Sequence, residues 1–386
     1  MARMTLKTVA DKVGVSPMTV SNAFSRPDQL SAELRERILA TADELGYLGP
    51  DPAARALARG STGAVGIVLT TVIGTALTDE MATQFLQAIL EGLAPTGLSL
   101  TLLSGEEAAG HVPARDVPMD GAVVFDCDPR SPALGWLRRR RLPVVFVDQD
   151  PAPGVPCINV DDRGGASAAA EHLVALGHRR IGIVNAGVVG PHGLQSGPMP
   201  DDQSYVTAQR MLGWLEPLSA AGIEPVVIKQ EHFTEEDGYT ALEVLLGADP
   251  GITGVLCFSD TLAHGVMLAA QDRGLRLPAD LSIVGFDDNP LAARLRPALT
   301  TVWQDVGEKG RLAAAALARA VAPVESGPAR RSRAVGRCRQ RSRSIACRAA
   351  DQVGGAGEHG SPRPVARNLR SRKAVCTCRL RSDSSP

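Results

Sequence analysis

The sequence predicts a multidomain protein in which an all-α helix-turn-helix head and a hinge helix precede a two-lobed α/β body with parallel sheets. Two observations predict this architecture. Short amphipathic helices separated by turns fill the first sixty residues. From Gly63 onward, apolar runs rich in β-branched residues alternate with helical stretches, which is typical of strands buried on both faces of a parallel sheet. Because the alternation occurs in two successive sets, we expect two lobes.

The composition is that of a soluble globular chain. Its 386 residues are 44% apolar and its mean hydropathy is near zero. No run approaches the roughly 18 uncharged apolar residues of a membrane span, and the N-terminal residues lack the apolar segment of an export signal. Cys127, Cys157 and Cys257 lie singly in apolar runs, where reduced cysteine acts as a small hydrophobe. We therefore expect a cytoplasmic protein without membrane contact.

The N-terminal residues predict three packed helices. Thr5 can cap the first helix, and Gly14 can end it because glycine adopts a left-handed conformation at little cost. Ser16 and Pro17 suit the N-cap and first position of a second helix. A third helix after Ser31 can cover the other two with its apolar face. Two helices joined by so short a turn predict a helix-turn-helix.

Such a motif typically places the start of its second helix in the major groove of DNA. Hydroxyl groups and backbone amides there can donate to phosphates. Pro17 and Met18 can contact thymine methyl groups, and Asn22 can pair with adenine. Alternatively, Ser16 only caps the helix, Met18 fills the core and Asn22 is solvated. The candidate DNA-binding residues of the head are Thr5, Ser16, Pro17, Met18, Thr19, Ser21 and Asn22.

The next segment, PDPAARALARGST at residues 50–62, predicts a short helix from Pro52 to Ala58. A helix of this length is not stable alone in water, so we expect it to form only on a partner surface. With TLKTVADKVGVSPMTVSNAF and ELGYLGPDPAARALARGSTGAVGIVL, the chain resembles the lactose-repressor (LacI/GalR) family of transcriptional regulators. The resemblance implies that this hinge helix pairs with its twin in the minor groove. The alternative is an amphipathic linker.

The resemblance also assigns roles within the hinge helix. Leu57 would wedge into a central base step, in line with minor-groove intercalation by apolar side chains. Ala54 and Arg55 would reach the groove floor. Double-stranded DNA with a pseudo-palindromic operator and a second copy of the chain are therefore the implied partners.

The resemblance continues through the body. It is carried by VDDRGGASAAAEHLVALGHRRIGIV, AQRMLGW, GVLCFSDTLAHGVM and LSIVGFDDNPLAARLRPALTTVWQD, and with the head it covers about residues 5 to 322. It implies a periplasmic-binding-protein-like body that binds a small molecule, often a sugar or nucleobase. In such sheets ligands bind beyond the carboxyl ends of the strands. The candidate effector-binding residues are Arg210, Ser259, Asp260, Asp287 and Trp303.

Residue chemistry supports part of this set. A guanidinium and a carboxylate facing a cleft suit a polyol because both form charge-assisted hydrogen bonds. Alternatively, Arg210 and Asp287 pair with each other. Ser259 and Asp162 stand where many members of the family carry asparagine, which removes an amide at each position and leaves the ligand set open. Trp303 or Phe258 can offer a stacking face for a sugar ring, or such an aromatic residue can belong to the core.

No catalytic constellation accompanies these residues. The sequence has no G-x-S-x-G elbow, no G-x-x-x-x-G-K-[ST] phosphate loop and no H-E-x-x-H zinc motif. We therefore expect no enzymatic activity, no cofactor and no metal site.

The last sixty residues differ from the rest. Residues 327–386 hold fourteen arginines and one lysine against three acids, which gives a formal charge of +12. Because the net charge of the whole chain is −1, residues 1–326 carry a formal charge of −13. They show no apolar periodicity, and we expect a disordered tail without strands, where the family pattern calls for two more. One hypothesis is a shifted reading frame. The other is a genuine basic arm that adds nonspecific DNA affinity.

Three segments are therefore predicted. Residues 1–60 form the DNA-binding head and hinge helix, 61–326 form the effector-binding and dimerisation domain, and 327–386 form the arginine-rich tail. The expected function is that of a homodimeric transcriptional regulator, a repressor whose operator affinity changes when a sugar-like molecule binds between the lobes. The alternatives are a soluble sugar-binding module without DNA function and a regulator remnant unable to dimerise or respond to ligand.

Overall fold

The computed structural model forms two compact units. The first comprises Met1–Ala64 with Pro118–Asp120, and the second comprises Val65–Val117 with Gly121–Pro386. The structure describes residues 4–69, 77, 79–126, 128, 130–187, 190–196 and 204–322, and the backbone of 342–348 and 370–377. No helix in this described part of the chain is both long and apolar enough to cross a membrane.

The first unit begins with the predicted three helices, α1 (Leu6–Val13), α2 (Pro17–Ser25) and α3 (Ala32–Glu44). The predicted caps are confirmed: the side chain of Thr5 accepts from the Thr8 amide at 3.4 Å, and that of Ser16 accepts from the Thr19 amide at 3.0 Å. Gly14 ends α1 with a φ of +80°. The helices enclose a small apolar core formed by Val9, Ala10, Val20, Ala23, Ile38 and Ala42.

The hinge helix α4 (Pro52–Arg59) is formed in the single chain. The expectation that it forms only on a partner surface is therefore wrong. Both ends are capped locally: Asp51 accepts from the Ala53 amide at 2.8 Å, and Gly60 closes the helix with a φ of +69°. These caps satisfy backbone groups that an eight-residue helix otherwise leaves open to water.

The second unit holds two lobes, each built on a mainly parallel sheet. In the first lobe the strand order is β2-β1-β3-β4-β5, and in the second it is β11-β10-β9-β6-β8-β7. Within these two strand orders, β7 pairs antiparallel with β8. The strands are β1 (Ala64–Leu69), β2 (Ser99–Ser104), β3 (Ala122–Phe125), β4 (Val144–Val147), β5 (Cys157–Val160), β6 (Ile181–Ala186), β7 (Gly193–Leu194), β8 (Val226–Gln230), β9 (Gly254–Cys257), β10 (Ser282–Asp287) and β11 (Thr300–Trp303).

Helices cover these sheets, and one of them returns from the second lobe to the first. The helices of the body are α5 (Glu80–Leu93), α6 (Pro113–Asp116), α7 (Pro132–Arg139), α8 (Asp162–Ala175), α9 (Tyr205–Ala220), α10 (Glu235–Ala248), α11 (Asp260–Asp272), α12 (Pro290–Arg294) and α13 (Val306–Val321). After β11 of the second lobe, α13 returns to the first lobe, where Ala313 and Leu317 share a core with Phe85 and Ile89 of α5.

The tail contributes two strands, which corrects the prediction of a disordered tail without strands for those stretches. The strand β12 (Ser342–Arg348) pairs antiparallel with β11, and β13 (Arg370–Thr377) pairs antiparallel with both β5 and β12. Ladder bonds come from the main chain, so the open edges of β5 and β11 can pair with a segment that lacks apolar alternation. The remaining residues of 327–386 lie outside the described residues.

Candidate DNA-binding and effector sites

The start of α2 presents an exposed surface. Pro17 is exposed, and Met18 has 69% of its surface accessible, so Met18 does not fill the core of the head. The Ser16 hydroxyl lies 2.8 Å from that of Thr19 while it caps the helix. Asn22 donates its amide to Gln29 at 3.2 Å. The surface therefore combines apolar and hydroxyl groups with an amide that is held in place by a neighbour.

The hinge helix presents a second exposed surface. Leu57 has 86% of its surface accessible, and Ala54 is exposed while Arg55 is half-buried. An isolated leucine exposed to this degree gains nothing from folding. Burying it against a partner would be favourable, and α4 already holds it at a fixed position.

In the second lobe, Arg210 of α9 is the centre of a buried charged cluster. It is 4% exposed, and its Nε donates to Asp162 Oδ1 at 2.9 Å while Nη2 lies 3.4 Å from Asp287 Oδ1. Its Nη1 donates to the carbonyl oxygen of Phe258. The alternative that Arg210 and Asp287 pair with each other thus describes an observed contact, and the guanidinium is held on three sides.

Two aromatic rings complete the surroundings of Arg210. The guanidinium carbon lies 3.6 Å from the ring centre of Phe286 and 4.5 Å from that of Phe258. A desolvated guanidinium over a ring face is attracted to its negative quadrupole. The arrangement fixes the plane of the guanidinium, so Arg210 is a rigid element of this lobe.

The charged cluster continues into the first lobe through Gln304. The Gln304 Nε2 donates to Asp287 Oδ1 at 2.6 Å, and its Oε1 accepts from Lys309 Nζ at 3.0 Å. Lys309 of α13 also donates to both carboxylate oxygens of Asp148, at 3.0 and 2.7 Å. One hydrogen-bonded chain therefore links Arg210 in the second lobe with Asp148 at the end of β4 in the first.

Sequence reasoning did not include Gln304, Lys309, Asp148 or Asp126 among the effector residues. The sequence contained a usable pattern for two of them, because Asp126 and Asp148 directly follow the apolar runs AVVF and VVFV, which were predicted to be strands. Polar side chains at the carboxyl ends of parallel strands meet at one edge of the sheet. No sequence pattern near Gln304 or Lys309 predicted their role, because it depends on contacts with Asp287 and Asp148, which lie far away in sequence.

Three other predicted effector residues have different surroundings. Asp260 accepts from the Thr301 hydroxyl at 2.5 Å and from the Asn289 amide at 2.9 Å, so both its oxygens already serve the internal structure. Ser259 caps α11 through the Leu262 amide at 3.3 Å. Trp303 is half-buried at the end of β11. The structure brings Arg210 and Asp287 into contact and assigns structural bonds to Ser259 and Asp260.

Burial shifts the acid–base behaviour of this cluster. Burial, with Asp148 and Asp287 as like-charged neighbours, raises the pKa of Asp126 to about 7 and that of Asp260 to about 8. Burial also raises the pKa of Asp287 to about 7, although Arg210 opposes the shift. Removing an ion from water disfavours its charged form. These carboxyls therefore hold protons near neutral pH.

The raised pKa values predict a pH dependence of stability. The ordinary pKa of these carboxyls is 3.8, so the folded protein binds more protons than the unfolded chain above that value. The contribution of these protonated carboxyls to the free energy of unfolding is fully present below pH 3.8. It is lost as the pH rises through about 7 for Asp287 and about 8 for Asp260. We expect the free energy of unfolding to fall by about 1 kcal/mol or more between about pH 6.5 and about pH 8.5, measured by urea titration.

This pH window separates the carboxyls from the histidines. Burial lowers the pKa of His172 and His178 from the ordinary 6.5, so both are largely neutral in the folded and unfolded states over most of this window, and the little titration that remains in the unfolded chain would raise the stability with pH. The control is Asp260→Asn, which removes one of the titrating carboxyls and should flatten the dependence. A free energy of unfolding that rises with pH in this window would contradict the prediction.

An apolar cavity of about 420 Å³ lies apart from the charged cluster, in the first lobe. Its walls come from α7, β4 and the segment before β5, with one charged side chain, Arg138. The charged cluster, unlike this cavity, contains several convergent polar groups of the kind that orient small polar ligands in proteins.

Comparison with known proteins relates these sites to a family. Residues 5–49 match the bacterial regulatory proteins of the lacI family, and residues 170–342 match the periplasmic binding protein-like domain. An HTH-type transcriptional regulator of Mycolicibacterium smegmatis is 39% identical over 330 residues, which cover 81% of this chain and 89% of that protein. The chain belongs to the LacI family. It is a DNA-binding transcriptional regulator.

Two solved structures of LacI-family proteins share its fold. The lac repressor dimer bound to operator and the anti-inducer ONPF is 25% identical with a TM-score of 0.65, over 82% of this chain and 92% of that one. The complex of the transcriptional regulator CelR with cellobiose is 26% identical with a TM-score of 0.56, over 83% and 93%. These LacI-family relatives are regulators and not enzymes. The alternative of a sugar-binding module without DNA function is not supported.

Proposed function

We propose that this LacI-family regulator is a homodimeric repressor that binds a pseudo-palindromic operator, and that a sugar-like molecule bound between its lobes changes its operator affinity. The observation that carries the proposal is the exposure of Leu57 on a preformed α4, in the same unit as the exposed start of α2. Two such units on one dimer match two half-sites of DNA. We further infer that the protein acts in the cytoplasm, as a regulator without catalytic activity.

The DNA contacts follow from the exposed surfaces. Backbone amides and hydroxyls at helix starts donate to phosphates and fix the register, whereas apolar and amide side chains contact base edges. Leu57 enters the minor groove with Ala54 and Arg55 beside it. We assign Thr5, Ser16, Thr19 and Ser21 to phosphates, and Pro17, Met18 and Asn22 to bases.

The proposal that the protein binds an effector is supported by two buried hydrogen-bond acceptors. Asp162 Oδ2 and Asn185 Oδ1 are inaccessible to water and have no hydrogen-bond partner among the described residues. A buried acceptor left without a donor is costly. Hydroxyl groups of a ligand would supply donors, and Asp162 already binds Arg210 through its other oxygen. We propose a polyhydroxylated effector, with Arg210 and Asp287 as the floor of its site and Trp303 as a stacking face.

Selection from a random duplex library tests the proposal. The purified full chain is incubated with the library at near-physiological salt, and the retained duplexes are sequenced. A pseudo-palindrome with a central step that admits a leucine wedge supports the whole proposal. Release of the protein from that duplex by neutral sugars, cellobiose among them, then tests the effector half. Single half-sites, or no enrichment, would instead identify a remnant unable to dimerise.

Leu57 offers a direct prediction for operator binding. We expect Leu57→Ala to weaken binding to the selected duplex by about 30-fold, because burial of a leucine side chain contributes about 2 kcal/mol. Fluorescence anisotropy with a labelled duplex measures the change. The matched control is Leu48→Ala, since Leu48 is 99% exposed and precedes the hinge helix. Equal affinities of the two variants would contradict a wedge role for Leu57.

A further inference from the structure

The exit of the hinge helix is bound by a single carboxylate. Asp120 Oδ2 accepts from the Ser61 hydroxyl at 2.7 Å and from the Gly63 amide at 2.8 Å. Asp120 Oδ1 accepts from the Thr62 amide at 2.7 Å and from the Thr62 hydroxyl at 2.9 Å. Three consecutive residues directly after α4 and Gly60 thus direct four donors at one side chain.

These contacts are not those of a local turn. The donors and Asp120 are 57 to 59 residues apart in sequence. Partial burial alone would raise the pKa of Asp120, but the hydrogen bonds from Thr62, Ser61 and Gly63 outweigh it, and the pKa lies below its usual value. Hydrogen bonds to an ionised acceptor are the strong ones. The carboxylate is therefore ionised at neutral pH and bound in a fixed orientation.

The backbone around Asp120 is also fixed, by a hydrogen bond and by close packing. Its amide donates to the Ala64 carbonyl at 2.8 Å, which extends the contact to the residue where β1 begins. One residue later, Gly121 starts the approach to β3, and a Cβ there would lie 2.6 Å from Val321 Cγ1 and 2.9 Å from the Pro143 carbonyl oxygen. A residue packed this tightly cannot shift easily, so the backbone that directly follows Asp120 is fixed.

We propose that Asp120 is the anchor of the hinge helix, a positioning residue that keeps α4 formed and fixed at its C-terminal end for operator binding. An eight-residue helix is marginal in water, so each end that is fixed in advance reduces the ordering cost of binding. Asp51 and Gly60 cap the helix, while Asp120 fixes the chain that leaves it. The role in operator binding rests on the function proposed above, whereas the anchoring of α4 does not.

The test compares full-chain variants that remove the anchor in steps. Asp120→Ala removes all four acceptor contacts, Asp120→Asn keeps one acceptor oxygen, and Ser61→Ala removes a single donor. The matched control is Asp116→Ala, since Asp116 lies four residues earlier and its carboxylate is exposed and pairs with its neighbour Arg115. Thermal unfolding verifies that each variant retains the folded body.

Two measurements distinguish the effect of Asp120 on the stability of α4 from its effect on operator binding. By hydrogen exchange with mass spectrometry, we expect Asp120→Ala to accelerate exchange in residues 52–63 at least about tenfold, with Asp120→Asn between it and the parent chain. By anisotropy, we expect about tenfold or greater loss of affinity for the selected palindrome in Asp120→Ala, with unchanged affinity for a single half-site duplex. Asp116→Ala should match the parent chain in both measurements.

Each other outcome is decisive. Unchanged exchange in residues 52–63 of Asp120→Ala would overturn the anchor. Accelerated exchange with full affinity for the palindrome would overturn the positioning role. Equal losses on the palindrome and the half-site would point to damage of the head and also overturn it. If the parent chain selects no duplex, the function proposed above fails, and the exchange result alone decides whether Asp120 anchors α4.

Discussion

Arg210→Ala is expected to destabilise the body by about 3 to 5 kcal/mol, the cost of removing one partner from a buried ion pair. Arg210 is 4% exposed and binds Asp162, Asp287 and the Phe258 carbonyl. Without the guanidinium, the buried carboxyl groups of Asp162 and Asp287 lose the positive charge and the donors that both contact. Urea unfolding followed by tryptophan fluorescence measures the loss, since Trp214 lies on the same helix and is fully buried.

Two comparisons isolate the charge effect from the loss of packing. Arg163→Ala removes an exposed arginine that bonds to Glu216, and it should leave the unfolding transition unchanged. The double variant Arg210→Ala with Asp162→Asn should recover part of the stability, because one uncompensated charge is removed. A loss in Arg210→Ala no larger than that in Arg163→Ala would contradict the prediction.

Gly238→Ala is expected to destabilise the second lobe by about 3 kcal/mol. A Cβ on Gly238 of α10 would lie 2.1 Å from the Leu262 carbonyl oxygen of α11, and a helical carbonyl cannot move aside as a flexible side chain can. The two helices would have to separate. Gly265 of α11 faces α10 in the same way, since a Cβ there would lie 1.9 Å from the Glu235 carbonyl oxygen.

The same helix supplies the control for this substitution. At Gly247 of α10, no other group lies within 4 Å of the position that an alanine methyl would occupy, so Gly247→Ala should be neutral or stabilise by up to about 1 kcal/mol through helix propensity. Thermal unfolding of both variants makes the comparison. If Gly238→Ala proves as stable as Gly247→Ala, the close approach of α10 and α11 does not constrain the fold.

Features determined by neighbouring residues could be predicted from the sequence. The capping side chains of Thr5 and Ser16 act within three residues, so their chemistry and spacing suffice. The apolar runs likewise predicted the parallel sheets of both lobes, since burial on both faces leaves a local signature. The hinge helix was predicted with nearly its observed bounds, but its stability was underestimated because the caps at Asp51 and Gly60 were not considered.

Contacts between distant segments could not be predicted in this way. Lys309 and Asp148 are 161 residues apart, and no local pattern relates them. Asp260 had the right chemistry for a ligand contact, yet the fold uses it to bind Thr301 and the Asn289 amide. The strands β12 and β13 pair through the main chain, which leaves no side-chain pattern in the tail for periodicity to detect.

The bridging position of Gln304 has a thermodynamic consequence for signalling. Because this one amide holds Asp287 of the second lobe and Lys309 of the first, a rearrangement that separates them breaks two hydrogen bonds in surroundings poor in water. Any arrangement of the lobes that lacks this bridge gives up both hydrogen bonds. An effector can favour an arrangement without the bridge only to the extent that it binds that arrangement more tightly than the bridged one. In the function proposed above, the free energy of the Gln304 bridge therefore adds to the effector concentration that the regulator needs to respond.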